Sequence, residues 1–238
     1  MPETAATPAA SRWEDYLDVF ISPGELFRRR ADGRFGQAML GLVVLVAILF
    51  FGTRPAMQPI LDAEINKRMA EQMKGRSVTP EQAETGRKWA NTLAPVGVIV
   101  GLPITLLVLG AGVWVACKVV GGNLTYAQGA TIATFAMFPR LVEAVSGAVQ
   151  ALLMDEGSLT GRFSVSLGAG RFLDPATTNG AVLALVGRVD LFTLWITALV
   201  AVGLRNIAKV SVAQAAAGAA LVWILGALPT FLPALVAG

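Results

Sequence analysis

The stretch GQAMLGLVVLVAILFFGT, residues 36–53, decides the fold because it holds no charged side chain. A helix needs about 20 predominantly apolar residues to cross the ~30 Å hydrocarbon core of a bilayer. Four further apolar stretches approach or exceed that length, at 92–120, 126–154, 179–204 and 211–237. The sequence therefore predicts an all-α, polytopic transmembrane helical bundle with five spans.

Composition supports this prediction and excludes several classes of site. The chain has 238 residues, of which 55% are hydrophobic and 15% charged, whereas soluble domains average about 25% charged. It contains no histidine, which excludes a Ser–His–Asp triad and a His-ligated zinc or haem. Cys117 is the single cysteine, so no internal disulfide can form. We expect no enzyme activity, no cofactor and no metal site.

The distribution of basic residues predicts the orientation in the membrane. The pI is about 9.4, but the basic residues lie beside the apolar stretches, which indicates topology signals and lipid headgroup contacts and not nucleic-acid binding. Arg28, Arg29, Arg30 and Arg34 precede the first span, and arginines at that place favour a cytoplasmic N-terminus. Five spans then put the C-terminus outside, in a multi-pass protein of the cytoplasmic (inner) membrane.

Residues 1–35 are predicted to form a short tail followed by interfacial amphipathic helices. Within them Trp13, Tyr16, Leu17 and Phe20 recur at the spacing of one helical face. Trp and Tyr favour the membrane–water interface, so Trp13, Tyr16 and the arginines at 28–30 are predicted membrane-interface anchors. Packing of the same face on the protein's own core is an equal alternative.

Residues 36–238 are predicted to form the membrane domain, with an extracytoplasmic helical insertion at 54–91. We expect two helices in this insertion, separated near Gly75. The second should start in the capping box that begins at Thr79. In the loop 155–178, alternation of Phe163, Val165 and Leu167 with serines predicts a short hairpin.

Four ionisable residues fall inside the predicted spans: Arg140 and Glu143 in the third, Arg188 and Asp190 in the fourth. Each costs about 3 kcal/mol or more in lipid, so such residues face the bundle interior and pair. Antiparallel packing brings Glu143 level with Arg188, and Arg140 level with Asp190. The sequence therefore predicts an intramembrane ion-pair network between these two helices.

Three interpretations of this charge network remain open. It can be a polar clamp that fixes helix register, or a relay or substrate site as in transporters. Alternatively, the fourth span breaks at Gly187. Asp190 would then cap a short helix beginning at Leu191, and the four charges would line an outward-facing, water-filled recess.

Helix packing is predicted at two further places. Gly97 and Gly101 form a GxxxG pattern in the second span, which allows close approach within the bundle or in a dimer. Pro139, in the middle of the third span, is predicted to kink it.

Three motifs carry a resemblance to a known family. The first is Ser22-Pro23-x-Glu25-x-Phe27, before the first span. The second is Gly121-Gly122-Asn123-Leu124-Thr125, before a third span with a central Phe138-Pro139. The third is Asp190-Leu191-Phe192-Thr193-Leu194-Trp195, followed by Gly203-Leu204 and Lys209-Val210-Ser211. With these motifs the chain resembles the prokaryotic branch of the Yip family of five-span membrane proteins. The resemblance implies five helices, a cytosolic N-terminus, an outer C-terminus and no enzyme activity. Eukaryotic relatives bind Rab-type GTPases, a role not implied for a prokaryotic chain.

The expected function is that of a non-enzymatic integral membrane protein with a scaffold or partner-binding, membrane-organising role of the Yip type. Its expected partners are membrane lipids and a homo-oligomer or another membrane protein. The alternative is a small transporter or channel that uses the charges of the third and fourth spans. A polar cavity reaching those charges would favour transport, and a dry, fully paired core would favour a scaffold.

Overall fold

The computed structural model describes residues 13–72, 79–174 and 177–237. Every regular element in these ranges is helical, which confirms the all-α prediction. The predicted N-terminal tail, as far as residue 12, and the predicted break at Gly75 lie outside the described residues. The α-helices in chain order are α1 Glu14–Ile21, α2 Pro23–Arg29, α3 Gly36–Gln72, α4 Pro80–Val96, α5 Leu102–Val119, α6 Tyr126–Ala136, α7 Pro139–Leu153, α8 Gly180–Val186, α9 Leu191–Ile207, α10 Val212–Leu225 and α11 Leu228–Ala237.

The helices that match the predicted spans are long and apolar. Among the described residues, four helical runs are long and apolar enough to cross a membrane, and Leu191–Ile207 forms a shorter apolar helix. The four runs are Gly36–Asn66, Thr92–Val119, Tyr126–Leu153 and Val212–Leu232. This set confirms the predicted polytopic helical bundle.

The helix of the first span does not end at Thr53. It continues through Pro55 and Pro59, so that α3 is 37 residues long in total. At 1.5 Å per residue α3 is about 55 Å long, well beyond the thickness of a hydrocarbon core. The second helix of the predicted insertion, α4, begins in the predicted capping box, with Thr79 and Gln82 bonded to each other's backbone. The described parts of this region, 54–72 and 79–91, therefore extend the first and second spans.

Small residues set the closest packing between helices. Helix α5 lies against α6 and α10, and α9 lies against α6, α10 and α2. A Cβ added to Gly110 would lie 2.7 Å from Ala130 Cα, and one added to Gly129 would lie 2.6 Å from the Gly110 carbonyl oxygen. Because both obstacles are backbone atoms, α5 and α6 can approach this closely only with glycine at both positions.

The predicted GxxxG pair is not the internal packing site. Gly97 and Gly101 bound a π-helical turn between α4 and α5. A Cβ at either position would meet no atom of the described residues within 4 Å. A contact of this turn with a second copy of the chain stays a prediction.

Helices α1 and α2 pack on the bundle, and Val19, Leu26 and Phe27 are fully buried. The predicted helical face is divided between its two alternatives. Tyr16 and Phe20 pack against the core, with the Tyr16 ring stacked on Phe138 at a centroid distance of 5.3 Å. Trp13 and Leu17 are 76% and 63% exposed, and the role of Trp13 as an interface anchor stays a prediction.

Arg28 and Arg29 of α2 have protein partners, and so has Arg30, the residue directly after the helix. The carboxylate of Asp15, only 3% exposed, forms salt bridges with Arg29 and Arg30. Arg29 also pairs with Asp18, and this hydrogen bond, together with Asp15, raises the pKa of the Arg29 guanidinium. Arg28 lies nearer the surface and donates to Asn206 Oδ1 at 3.4 Å. Arg29 and Arg30 therefore fasten α1 to α2, and their role at a membrane interface stays a prediction.

Three of the predicted spans are interrupted. The fifth is divided into α10 and α11. The third is interrupted at Met137 and Phe138, directly before Pro139, where the sequence predicted a kink. The fourth span is divided into α8 and α9. The predicted hairpin in the loop between α7 and α8 is wrong. Its residues form 3-10 turns at Arg162–Val165 and Ala169–Phe172.

Candidate functional site

The break in the fourth span places Asp190 at a helix start. Its backbone is extended, with φ −130° and ψ 157°. Its Oδ1 accepts hydrogen bonds from the backbone N–H groups of Phe192 and Thr193, each at 3.0 Å. The side chain is 7% exposed. Asp190 is thus the N-cap of α9, where the helix dipole and two N–H donors stabilise its negative charge.

The loop between α7 and α8 holds the break in place. The Ala169 N–H donates to the Val189 carbonyl at 2.9 Å, and the Leu191 N–H donates to the Leu167 carbonyl at 3.2 Å. The Phe163 ring lies over Gly187, where an added Cβ would come within 2.5 Å of the ring. The backbone groups released by the broken helix are therefore paired with the loop, as burial away from water requires.

Arg188 lies at the C-terminal end of a helix, whereas Asp190 lies at an N-terminal end. Its Nη1 donates to the Gly226 carbonyl and its Nη2 to the Trp223 carbonyl, both at 2.9 Å. The guanidinium carbon also lies 5.3 Å from the centroid of the Trp223 ring. These carbonyls belong to the C-terminal end of α10, whose last turn leaves acceptors unpaired and carries partial negative charge. Arg188 therefore caps α10.

Arg140 and Glu143 form a salt bridge within α7. Their side chains are 38% and 37% exposed, so neither is sealed into the core. Arg140 Nη2 also reaches Thr193 Oγ1 on α9 at 3.4 Å, a long and weak hydrogen bond. Among the described residues, this is the one side-chain hydrogen bond between Arg140 and the fourth span.

The predicted pairing of charges between the third and fourth spans is therefore wrong. Among the described residues, no salt bridge joins Glu143 to Arg188 or Arg140 to Asp190. The physical reason is the break, because it creates helix ends that satisfy Arg188 and Asp190 locally. The third interpretation of the sequence, with Asp190 capping a helix from Leu191, is the one that agrees with the structure.

The four charges nevertheless meet around one polar cavity of about 500 Å³. Arg162, which the sequence prediction did not include, adds a fifth charge from the loop. Its guanidinium carbon lies 4.8 Å from the Phe163 ring centroid, and its backbone N–H donates to Glu64 Oε1 at 3.0 Å. Three guanidinium groups and two carboxylates give the lining one excess positive charge. The residues around it are Met57, Arg140, Glu143, Ala144, Gly147, Arg162, Phe163, Val165, Ser166, Ala184, Gly187, Arg188, Asp190, Thr193 and Thr230.

A second, apolar groove of about 270 Å³ adjoins the polar cavity. Met57, Arg140 and Ala144 line both spaces. The groove runs along α3 and α7, and apart from Thr53, Arg54 and Arg140 its lining is apolar. Its other lining residues are Leu42, Val46, Leu49, Phe50, Leu61, Leu102, Met137 and Leu141. Arg140 thus stands between a charged space and a hydrocarbon-like one.

The chemistry of this site is that of binding. Guanidinium groups recognise carboxylate and phosphate through paired N–H donors. Within the described part of the chain, no group of three or more His, Cys, Asp or Glu residues could hold a metal ion. The polar cavity's volume lies within the range of small-molecule sites, roughly 300–1,000 Å³.

Comparison with known proteins agrees with the family resemblance. The Yip1 domain matches residues 17–232, a range that includes every residue lining the polar cavity and the apolar groove. Searches of curated proteins and of solved structures returned no match. The apolar helices are those of a multi-pass membrane protein. The chain therefore belongs to the Yip1 domain family.

Proposed function

We propose that this chain is a non-enzymatic integral membrane protein with a partner-binding, membrane-organising role, and that the polar cavity is its binding site. The observation that carries the proposal is the state of the charges in that cavity. Five charged side chains line it, yet among the described residues only Arg140 and Glu143 pair with each other. A sealed structural clamp would pair them all.

The arginines of the polar cavity leave donors for a ligand. Arg188 and Asp190 are compensated by helix ends. Arg162 is exposed on the loop and forms no salt bridge in the part of the chain that the structure describes. A negatively charged group entering the cavity would pair with the excess positive charge of its lining.

A small transporter is the second candidate, and the polar cavity is the feature expected of it, whereas a scaffold with a dry, fully paired core is not what the cavity supports. Broken spans with charged residues at the break are typical of transporter binding sites. Here the third span breaks before Pro139 and the fourth at Gly187. Transport requires the site to open to the other side of the membrane as well.

The proposed setting is the cytoplasmic (inner) membrane, with the N-terminus inside and the C-terminus outside. The four arginines at 28–34 support this orientation. In that orientation the loop 155–178 and the polar cavity face outward. We propose membrane lipids as partners, and a second copy or another membrane protein at the exposed turn Gly97–Gly101.

Two measurements on one preparation test the proposal. The chain is purified from its membrane in mild detergent and examined by native mass spectrometry, then reconstituted in vesicles for pH- and potential-driven flux. We expect bound species of discrete mass that Arg140→Gln reduces, with flux equal to that of empty vesicles. Arg34→Gln, an exposed arginine outside both spaces, is the matched control.

Each alternative has its own outcome in these measurements. Flux that Arg140→Gln abolishes and Arg34→Gln preserves would replace the binding role with transport. The absence of any bound species from the wild-type chain, or equal loss in both variants, would contradict the assignment of the binding site to the polar cavity.

A further inference from the structure

We propose that the polar cavity and the apolar groove together bind one anionic phospholipid, with its phosphate at Arg140 and an acyl chain along α3 and α7. This inference rests on the proposed function, because it names the ligand of the same site. It is carried by the position of one residue, since Arg140 lines both spaces.

The two spaces have the two chemistries of a phospholipid. The polar cavity holds three guanidinium groups and has room for a headgroup. The apolar groove is lined almost entirely by aliphatic and aromatic side chains of α3 and α7, with Leu102 from α5. Burial of an acyl chain there gains dispersion contacts with these side chains. A soluble anion makes no such contacts with the apolar lining, so the pair of spaces favours a lipid over a soluble anion.

Arg140 has hydrogen-bonding capacity left for a phosphate. A guanidinium carries five N–H donors, and the described bonds of Arg140 use one toward Glu143 and one, at 3.4 Å, toward Thr193. Its side chain is 38% exposed. A phosphate can therefore approach it with two parallel hydrogen bonds, the arrangement that arginine makes best.

Glu143 then acts as an internal competitor for Arg140. Its carboxylate occupies part of the guanidinium in the unliganded protein. Loss of the Glu143 charge should free Arg140 and remove a repulsive charge from beside the phosphate. The geometry thus predicts opposite effects for the two members of one salt bridge, whereas a purely structural pair would be damaged in the same way from either side.

The test uses the delipidated full-length chain in detergent, titrated with defined lipids and followed by native mass spectrometry and thermal stability. The probes are dioleoyl phosphatidylglycerol, dioleoyl phosphatidylethanolamine with the same chains, and inorganic phosphate. We expect the anionic lipid to bind about tenfold more tightly than the zwitterionic one. Both carry the phosphate, but only phosphatidylethanolamine brings an ammonium group into a lining that already has an excess positive charge. Arg140→Gln should weaken the anionic lipid about tenfold, and Glu143→Gln should strengthen it.

The acyl-chain half of the proposal has its own matched pair. Leu49→Trp fills the apolar groove, while Ile48→Trp adds the same ring at a neighbouring position that is 61% exposed and outside the lining. We expect Leu49→Trp to weaken the anionic lipid several-fold and Ile48→Trp to leave it unchanged. If Arg140→Gln does not fold, Glu143→Gln and this pair still decide the matter.

Several results would overturn the lipid proposal. They are equal binding of the two lipids, equal stabilisation by inorganic phosphate alone, weaker binding by Glu143→Gln, and equal effects of the two tryptophan variants. If an Arg140-dependent species from the native membrane proves to be a protein, the proposed function stands and the lipid proposal fails. If wild type binds no species at all, both fail.

Discussion

Replacement of Arg188 by glutamine is the perturbation that best separates the observed arrangement from the pairing predicted by sequence. In the structure its guanidinium holds the carbonyls of Trp223 and Gly226 at the end of α10, each at 2.9 Å. An acceptor left without a donor away from water costs about 1–3 kcal/mol. Two acceptors give ~2–6 kcal/mol, and partial exposure of this helix end favours a value of about 3 kcal/mol.

The assay is equilibrium unfolding in mixed micelles with increasing SDS, followed by circular dichroism. Arg28→Gln is the control, because its side chain is 61% exposed, and we expect it to change stability by less than about 0.5 kcal/mol. Arg188→Lys keeps the charge but loses the planar fork that reaches two carbonyls. It should recover only part of the loss.

A double-mutant cycle between Arg188→Gln and Glu143→Gln completes the test. Since Arg188 and Glu143 form no salt bridge in the structure, their coupling energy should stay below about 0.5 kcal/mol. Coupling well above about 1 kcal/mol, or no loss of stability in Arg188→Gln alone, would refute the capping argument.

Three further predictions concern other parts of the bundle. Gly110→Ala should destabilise by about 1–3 kcal/mol in the same unfolding assay because its Cβ meets backbone of α6, while Gly112→Ala, open on the same helix, should not. Asp15→Asn should cost about 2 kcal/mol by unpairing two arginines, whereas Glu25→Gln at an exposed pair should stay within about 0.5 kcal/mol, as thermal unfolding will report. Gly187→Ala should displace the ring that lies over it, raising hydrogen exchange in the loop between α7 and α8, and unchanged exchange would contradict the packing described.

Much of the fold was predictable because the membrane imposes simple rules. Apolar runs long enough to cross a bilayer gave the spans. The residue patterns at Thr79 and Pro139 gave a helix start and a helix break. Both are local signals, in which a side chain acts on backbone within one helical turn.

The pairing of the buried charges was less predictable, since it depends on distant backbone. The hydrogen-bond acceptors of Arg188 lie 35 and 38 residues away, at a helix end that exists only where α10 stops. The sequence prediction considered only oppositely charged side chains at matched depth as partners, whereas the observed partners are backbone carbonyls and N–H groups. The break at Gly187, which the sequence allowed only as an alternative, changes the partners of Arg188 and Asp190.

The close helix contact within the described bundle involves other glycines than the predicted pair. Gly97 and Gly101 have the familiar spacing, but Gly110 and Gly129 make the contact. The available signal was the run of small residues that begins at Gly129 and continues with Ala130 and Ala133, all buried on α6. Close packing of two helices depends on the residues of both. A motif within one helix does not show which other helix packs against it.

The backbone conformation at Asp190, measured by solid-state NMR on isotope-labelled chain in lipid bilayers, tests the broken fourth span most directly. We expect extended-type Cα and Cβ shifts at Asp190, helical shifts from Leu191 onward, and a contact between the Arg188 guanidinium and the Gly226 carbonyl. Uninterrupted helical shifts through 187–191, with Arg188 in contact with Glu143, would contradict it.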